Sequence, residues 1–154
     1  QPAISPDHLE LEILETAGLA DMDRAVQVLT QCQALGVSFS LDDFGTGYSS
    51  LAYFRRLPVH MIKIDQSFVR NMLADANDFG IVDSVVRLAH AFNRPVIAEG
   101  VETLAHGARL LQLGCHLAQG YGIARPMPAA ELPAWVQQWA HDAPWKALAE
   151  PHET

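Results

Sequence analysis

The sequence predicts an α/β chain that forms part of a (β/α)8 TIM-type barrel lacking its N-terminal strands. Three observations carry this. Apolar periodicity switches repeatedly between about 2 and about 3.6, the mark of alternating strands and helices. Each of five predicted strands ends on one polar residue, Glu12, Asp42, Lys63, Glu99 or Gln119, spaced about 20 to 36 residues apart. A barrel assembles its site from several strand ends at one mouth, whereas an open sheet gathers its ligands at a single switch point. A closed barrel takes about 250 residues, and this chain has 154.

The elements follow in order. Leu9-Glu10-Leu11-Glu12-Ile13 alternates strictly, with Leu9, Leu11 and Ile13 on one face. Asp21 is placed to cap a helix with the stripe Met22, Ala25, Val26, Leu29, Cys32 and Leu35, and Gly36 stops it. Val37–Leu41 reads as a strand ending on Asp42, and a short helix spans 50–57 before Pro58. Met61–Ile64 is the third strand. Ile81, Val82, Val85, Val86, Ala89 and Phe92 mark a long helix leading into the strand Pro95–Glu99. Thr103 opens a helix through Leu113 that Gly114 closes, and a weak strand leads to Gln119. A last helix is expected over 128–139, with Pro133 tolerated near its first turn. The barrel part is therefore 1–139, and 140–154 is a polar tail.

Composition narrows the function classes. Apolar residues at 49% and charged ones at 18% describe a folded chain with a sizeable core. Ten Lys and Arg against 18 Asp and Glu leave a net charge of −8. That balance argues against nucleic-acid polymers and anionic membranes, which want basic clusters. No apolar run approaches the roughly 18 residues of a membrane span. Cys32 and Cys115 are isolated within apolar patterns and read as small core residues in a reduced, cytoplasmic protein. The seven histidines show no metal-binding spacing, and His90 and His106 read as surface or half-buried helix residues.

Chemistry concentrates in Asp42-Asp43-Phe44-Gly45-Thr46-Gly47-Tyr48-Ser49-Ser50-Leu51. Adjacent carboxylates repel unless a cation lies between them. Oxygen ligands point to Mg2+ or Mn2+, and two carboxylates on one strand end can serve two ions, Asp42 bridging and Asp43 reaching the second. Gly45 and Gly47 allow a tight turn and offer backbone N–H groups. The competing readings are a solvated turn whose first Asp caps the next helix, and a dinucleotide-binding loop, against which Ser50 stands where a third glycine belongs. Glu12 alternates with Leu11 and Ile13 and so faces the barrel mouth as a third carboxylate, unless it lies outward on an edge strand. Lys63, between Ile62 and Ile64, needs carboxylates or a phosphate as partner. Its structural alternative is an ion pair with Asp65. Glu99 is placed to accept a proton from water beside metals. Glu102 is a further candidate, with a helix N-terminal carboxylate as its plain alternative.

These residues resemble the EAL family of cyclic di-GMP phosphodiesterases. The resemblance runs from about Leu9 to Pro128 and rests on LELEILET at 9–16, DDFGTGYSSL at 42–51, IKID at 62–65, AEGVET at 98–103 and AQGYGIARPMP at 118–128. It implies a (β/α)8-type barrel that hydrolyses cyclic di-GMP to the linear dinucleotide with two Mg2+ or Mn2+ ions. By the same resemblance Glu12 would ligate the first ion, Asp42 would bridge, and Asp43 would bind the second. Lys63 and Glu99 would position and deprotonate the attacking water, and Gln119 would lie near the metal-site waters or the substrate. Glu15 would steady the Gly-rich loop that couples metal binding to dimer contacts, which implies a homodimer. Asp65 and Glu102 are possible further members. Leu14 replaces the Thr usual before the second Glu. The Glu-Ala-Leu signature, an Asn ligand and a phosphate-gripping Arg are expected upstream of residue 1, as are sensory or GGDEF-type domains.

The leading expectation is thus an enzyme, with this chain alone unable to turn over cyclic di-GMP efficiently. A degenerate domain that binds cyclic di-GMP and signals to a partner is the second reading, and an unrelated metal-dependent barrel enzyme the third. An incomplete barrel leaves apolar edge strands unpaired. The isolated 154-residue chain is therefore expected to oligomerise or aggregate in sedimentation, and a well-behaved monomer counts against the partial-barrel reading.

Overall fold

In the computed structural model, which describes residues 4–15, 21–47, 51–139 and 148, strand alternation divides the sheet residues between two environments. The strands are β1 (Glu10–Leu14), β2 (Ser38–Phe44), β3 (Met61–Ile64), β4 (Val96–Glu99) and β5 (Leu117–Gln119). All neighbours pair in parallel, in the order β1-β2-β3-β4-β5. Sequential order with no reversal excludes the doubly wound alternative, which requires a switch point. Between the strands run α1 (Met22–Gln33), α2 (Leu51–Arg56), α3 (Gln66–Asn71), α4 (Ala76–Ala91) and α5 (Leu104–Leu113), and α6 (Leu132–Trp139) follows β5.

One face of the sheet supplies the core. Phe39, Leu41, Ile62, Ile64, Val96 and Ala98 are buried there against Phe54, Leu57, Val69, Val82, Val86 and Leu110. Residues of the other parity, Ser40, Asp42, Lys63 and Glu99, turn polar groups toward the opposite face, as the period-2 geometry demands. Phe54 organises one end of the core. Its ring lies 5.4 Å from Phe44 and 5.1 Å from Phe92, with the Arg94 guanidinium 4.4 Å away. That guanidinium also donates to the carbonyls of Phe54 and Leu57, both at 2.9 Å, closing the end of α2.

The helix signals hold at their caps. Asp21 accepts from the Arg24 amide at 3.0 Å, Asp75 from the Asn77 amide at 2.7 Å, and Thr103 caps α5. Gly36 and Gly114 take φ values of 102° and 88° where α1 and α5 end, a region that glycine enters without a Cβ penalty. Three expectations need correction. The α1 stripe stops at Cys32, because Leu35 lies past the helix end and is 71% exposed. The helix α3 was not anticipated, since six residues carry too little periodicity to register. The last helix begins at Leu132, not near Pro128, after a turn in which the Glu131 amide bonds to the Pro128 carbonyl. The tail at 140–154 lies outside the described residues apart from 148.

The end strands β1 and β5 each pair on one side only, and neither contains a buried residue. Leu11, Leu14 and Leu117 are correspondingly exposed. Phe54→Ala should cost about 3–5 kcal/mol in denaturant unfolding. A loss under about 1 kcal/mol would contradict the role given to this ring.

Candidate active site at the strand ends

The site grows from an irregularity in β2. Leu41 pairs with Ile62 and Phe44 with Ile64, so three steps on β2 match two on β3. The extra residue is a β-bulge, which bends a strand and re-aims its side chains. Asp43 sits in it at φ 54°, in the left-handed region that Asp and Asn enter more readily than most residues. In a regular strand Asp42 and Asp43 would point to opposite faces. The bulge brings both to the same end, where Asp42, Asp43 and Glu99 each offer a carboxylate oxygen within 4.8 Å of the others.

Lys63 stands among these acids. Its Nζ lies 2.6 Å from Glu12 Oε1, 2.8 Å from Glu99 Oε1 and 3.0 Å from Asp42 Oδ1. Burial pulls the ammonium pKa down, yet its hydrogen bonds to Glu12, Glu99 and Asp42 outweigh it and hold Lys63 above the usual lysine range. The alternative in which Lys63 pairs with Asp65 is thereby corrected. Asp65 instead caps α3, accepting from the Ser67 amide at 2.9 Å, with its charge close to Asp43. Burial, followed by the charges of Asp42, Asp65 and Glu99, raises the Asp43 pKa above its ordinary 3.8.

Glu12 reaches this cluster from the middle of β1, not from its end. Its register partner is Ser40, while Leu14 is level with Asp42. Its side chain is still half exposed, because β1 is an edge strand. Glu15 is buried, and its Oε2 accepts from the amides of Gly45 and Gly47 at 2.9 and 3.0 Å. Both glycines are required by space. A Cβ on Gly47 would sit 3.0 Å from Glu15 Cδ, and one on Gly45, at φ 105°, would sit 3.0 Å from the Phe68 ring. Residues 48–50 of this loop lie outside the described residues.

Gln119 does not touch the Lys63 cluster. It lines an adjoining cleft of about 190 Å³ together with Gln66, Arg70, Glu99, Glu102 and Tyr121. Glu102 is not in the cluster either. It directly precedes Thr103, the cap of α5, and pairs with Arg70 Nε at 2.9 Å. Arg70, Tyr121 and His106 were missed from sequence. Arg70 belongs to the unrecognised α3, and no periodicity marks an isolated tyrosine in a loop. His106 is buried with partners at both ring nitrogens, not half-exposed as expected.

The donor set fits divalent cations that prefer oxygen. Asp42 Oδ1 is buried, and its contact is the Lys63 ammonium at 3.0 Å. Three carboxylates, Glu12, Asp42 and Glu99, meet one ammonium, with Asp43 and Asp65 beside them. Such an excess of closely spaced negative charge is relieved by protonation or by cations.

Comparison with known proteins agrees with this geometry. The EAL domain family matches residues 1–126. The chain is 45% identical over 134 residues to the bifunctional diguanylate cyclase/cyclic di-GMP phosphodiesterase MucR of Pseudomonas aeruginosa, covering 87% of this chain and 20% of MucR. The solved MucR phosphodiesterase, a c-di-GMP complex, superposes with a TM-score of 0.80 over 84% of this chain and 52% of that one. The cyclic di-GMP phosphodiesterase NbdA of the same organism is 41% identical over 143 residues, which is 93% of this chain and 18% of NbdA. A manganese/cyclic di-GMP complex of Klebsiella pneumoniae BlrP1 is 36% identical with a TM-score of 0.73, covering 80% of this chain and 31% of that one. The chain thus spans about a fifth of the curated relatives and about half of the solved MucR chain. With the family match over residues 1–126, five sequential βα units and an Asp-Asp strand end beside Lys63 and Glu99, the chain belongs to the EAL domain family.

Proposed function

We propose that this chain supplies the C-terminal part of the active site of a divalent-metal-dependent phosphodiesterase that opens cyclic di-GMP to the linear dinucleotide. The observation that carries the reading is the convergence of Asp42, Asp43 and Glu99, each offering a carboxylate oxygen within 4.8 Å of the others. Glu12 would hold one Mg2+ or Mn2+, Asp42 would bridge, and Asp43 would hold a second. Such ions, when bound, neutralise phosphoryl oxygens and raise the acidity of water.

The chain's own side chains supply the rest. Glu99 ends β4 with one oxygen on Lys63, so its other oxygen is available to take a proton from an attacking water. The Lys63 ammonium, with its three donors on carboxylates, positions that water through the Glu99 carboxylate it fixes and offsets negative charge as the phosphodiester opens. Gln119, in the cleft beside Glu99, contacts the substrate or the site's waters. Glu15 keeps the Gly45–Gly47 loop in place through two amide bonds, which in this reading transmits metal binding to a homodimer contact. Asp65 acts through Asp43. The proposal places the protein in the cytoplasm, with the barrel part ending near 139 and sensory or GGDEF-type domains upstream. No helix among the described residues is long and apolar enough to cross a membrane.

The full-length protein with Mg2+ or Mn2+ should convert cyclic di-GMP to the linear dinucleotide, followed by chromatography, and chelation should stop it. Glu99→Gln should lower kcat by about 10²–10⁴-fold with a smaller change in KM. Tight nucleotide binding without any turnover would sink the enzymatic reading.

Asp43→Asn tests the ion site through stability. Because the folded pKa of Asp43 is raised, its contribution favours folding at low pH and is lost as pH rises through that folded value. In chelator, the variant should therefore gain stability over the wild type as pH climbs above the ordinary aspartate range. Asn also suits the left-handed backbone at this position. Added Mn2+ should reverse the order, since ligand at about 100 times Kd stabilises the wild type by about 2.7 kcal/mol and the variant by less. Equal Mn2+ stabilisation of both proteins in thermal unfolding would remove Asp43 from the site.

A further inference from the structure

His106 is a buried histidine outside the acidic cluster, and its bonding is fully specified. Its Nε2 lies 3.2 Å from the Arg70 carbonyl oxygen, which can only accept, so the proton is on Nε2. Its Nδ1 lies 2.8 Å from Thr103 Oγ1 and accepts the Thr hydroxyl proton. The same hydroxyl oxygen accepts from the His106 amide at 3.4 Å as the cap of α5. One imidazole therefore joins the end of α3 to the start of α5.

Those two helices bear on the two sides of the candidate site. The first side is α3, whose cap Asp65 stands close enough to Asp43 to raise its pKa. The second is the segment from Glu99 to Thr103 that leads into α5. They touch at Gly100, where φ is 73° and an added Cβ would lie 2.7 Å from Gln66 Cβ and 3.5 Å from Arg70 Cγ. They are bridged again by Arg70 Nε on Glu102 Oε1 at 2.9 Å. The Gly100 contact stops the segments from approaching further. The surface Arg70–Glu102 pair, with both side chains nearly half exposed, is worth little by itself. The buried His106 bonds are the attachment that stops the segments from separating.

We propose that His106 is a positioning residue that sets the separation of Asp43 from Glu99, and with it the spacing of the carboxylates offered to divalent cations. This rests on the phosphodiesterase reading for its consequence in catalysis, while its consequence for ion affinity stands apart. Groups that orient ligands from behind carry about 10- to 100-fold effects on metal affinity, and His106 acts one step further back, so about tenfold is expected.

The test measures Mn2+ binding to the full-length protein by calorimetry, alongside cyclic di-GMP turnover. His106→Leu, which keeps bulk and loses both bonds, should weaken Mn2+ about tenfold and lower kcat more than it raises KM. His106→Gln, whose amide can donate to the Arg70 carbonyl and accept from Thr103, should restore most of the affinity. Val86→Ala, buried on α4 away from the site, should lower Tm without changing Mn2+ affinity. If His106→Leu does not fold, Thr103→Val carries the same expectation through the loss of the Nδ1 bond. Wild-type Mn2+ affinity in the Leu or Val variant, with only Tm reduced, overturns the proposal. A wild type that binds Mn2+ without hydrolysing cyclic di-GMP overturns the functional reading and leaves the positioning proposal to be decided by the affinities. A wild type that does not bind Mn2+ overturns both.

Discussion

An ammonium buried among carboxylates is the constraint around which the sheet's polar face is arranged. Lys63 rises from β3 between two fully buried isoleucines, where an unpaired charge would cost several kcal/mol, by about the usual burial penalty. Its three acidic partners come from β1, β2 and β4. One side chain thus ties four strands together on the polar face of the sheet. The dependence is mutual. Without the ammonium, Glu12, Asp42 and Glu99 would face one another uncompensated, and without them Lys63 could not remain charged there. The opposite face needs no such device, because Leu41, Ile62, Ile64 and Ala98 are covered by helices.

Geometry at the end of β2 turns this ion pair network into a site. Alternation alone would put Asp43 into the layer occupied by Leu41. A bulge with left-handed φ places it beside Asp42 instead. The same distortion forces the chain to turn at Gly45, and Glu15 then gathers the following amides. Strain, glycine and a buried carboxylate are therefore three parts of one local solution. A strand that places two adjacent acids on one side must break its ladder, and something must hold the chain where the ladder stops.

How much of this was legible in the sequence depends on whether the signal was periodic. The strands around Leu41, Ile62 and Ala98, and the caps Asp21, Thr103 and Gly114, follow from patterns that local physics enforces. The strand-end placement of Asp42, Lys63 and Glu99 followed from spacing, and the structure brings these residues together. What spacing could not show was which acids Lys63 would select, since Asp65 lies nearer in sequence but is held by the turn into α3. Nor could it show that Glu12 acts from mid-strand, because the offset of parallel strands is a tertiary property. The clasp at His106 was invisible for a related reason. A lone histidine on a helix has no pattern, and its partner Arg70 sits on a helix too short to announce itself.

Charge closes the argument. The chain's net −8 seemed at odds with a ligand that itself carries phosphodiester charges. At the site the discrepancy is sharper still, because three carboxylates hold the one ammonium and Asp43 and Asp65 stand beside them. A polyanion would be repelled by this arrangement, and Lys63 cannot reverse it, since its donors are already taken by the acids. Arg70 is committed to Glu102, and Arg94 to backbone carbonyls. Under the proposed function, cations held by the same acids supply positive charge that a phosphodiester requires. The acidic composition is then a precondition for binding an anionic dinucleotide. The buried oxygen of Asp42, in contact with Lys63 Nζ at 3.0 Å, marks where that compensation is most needed.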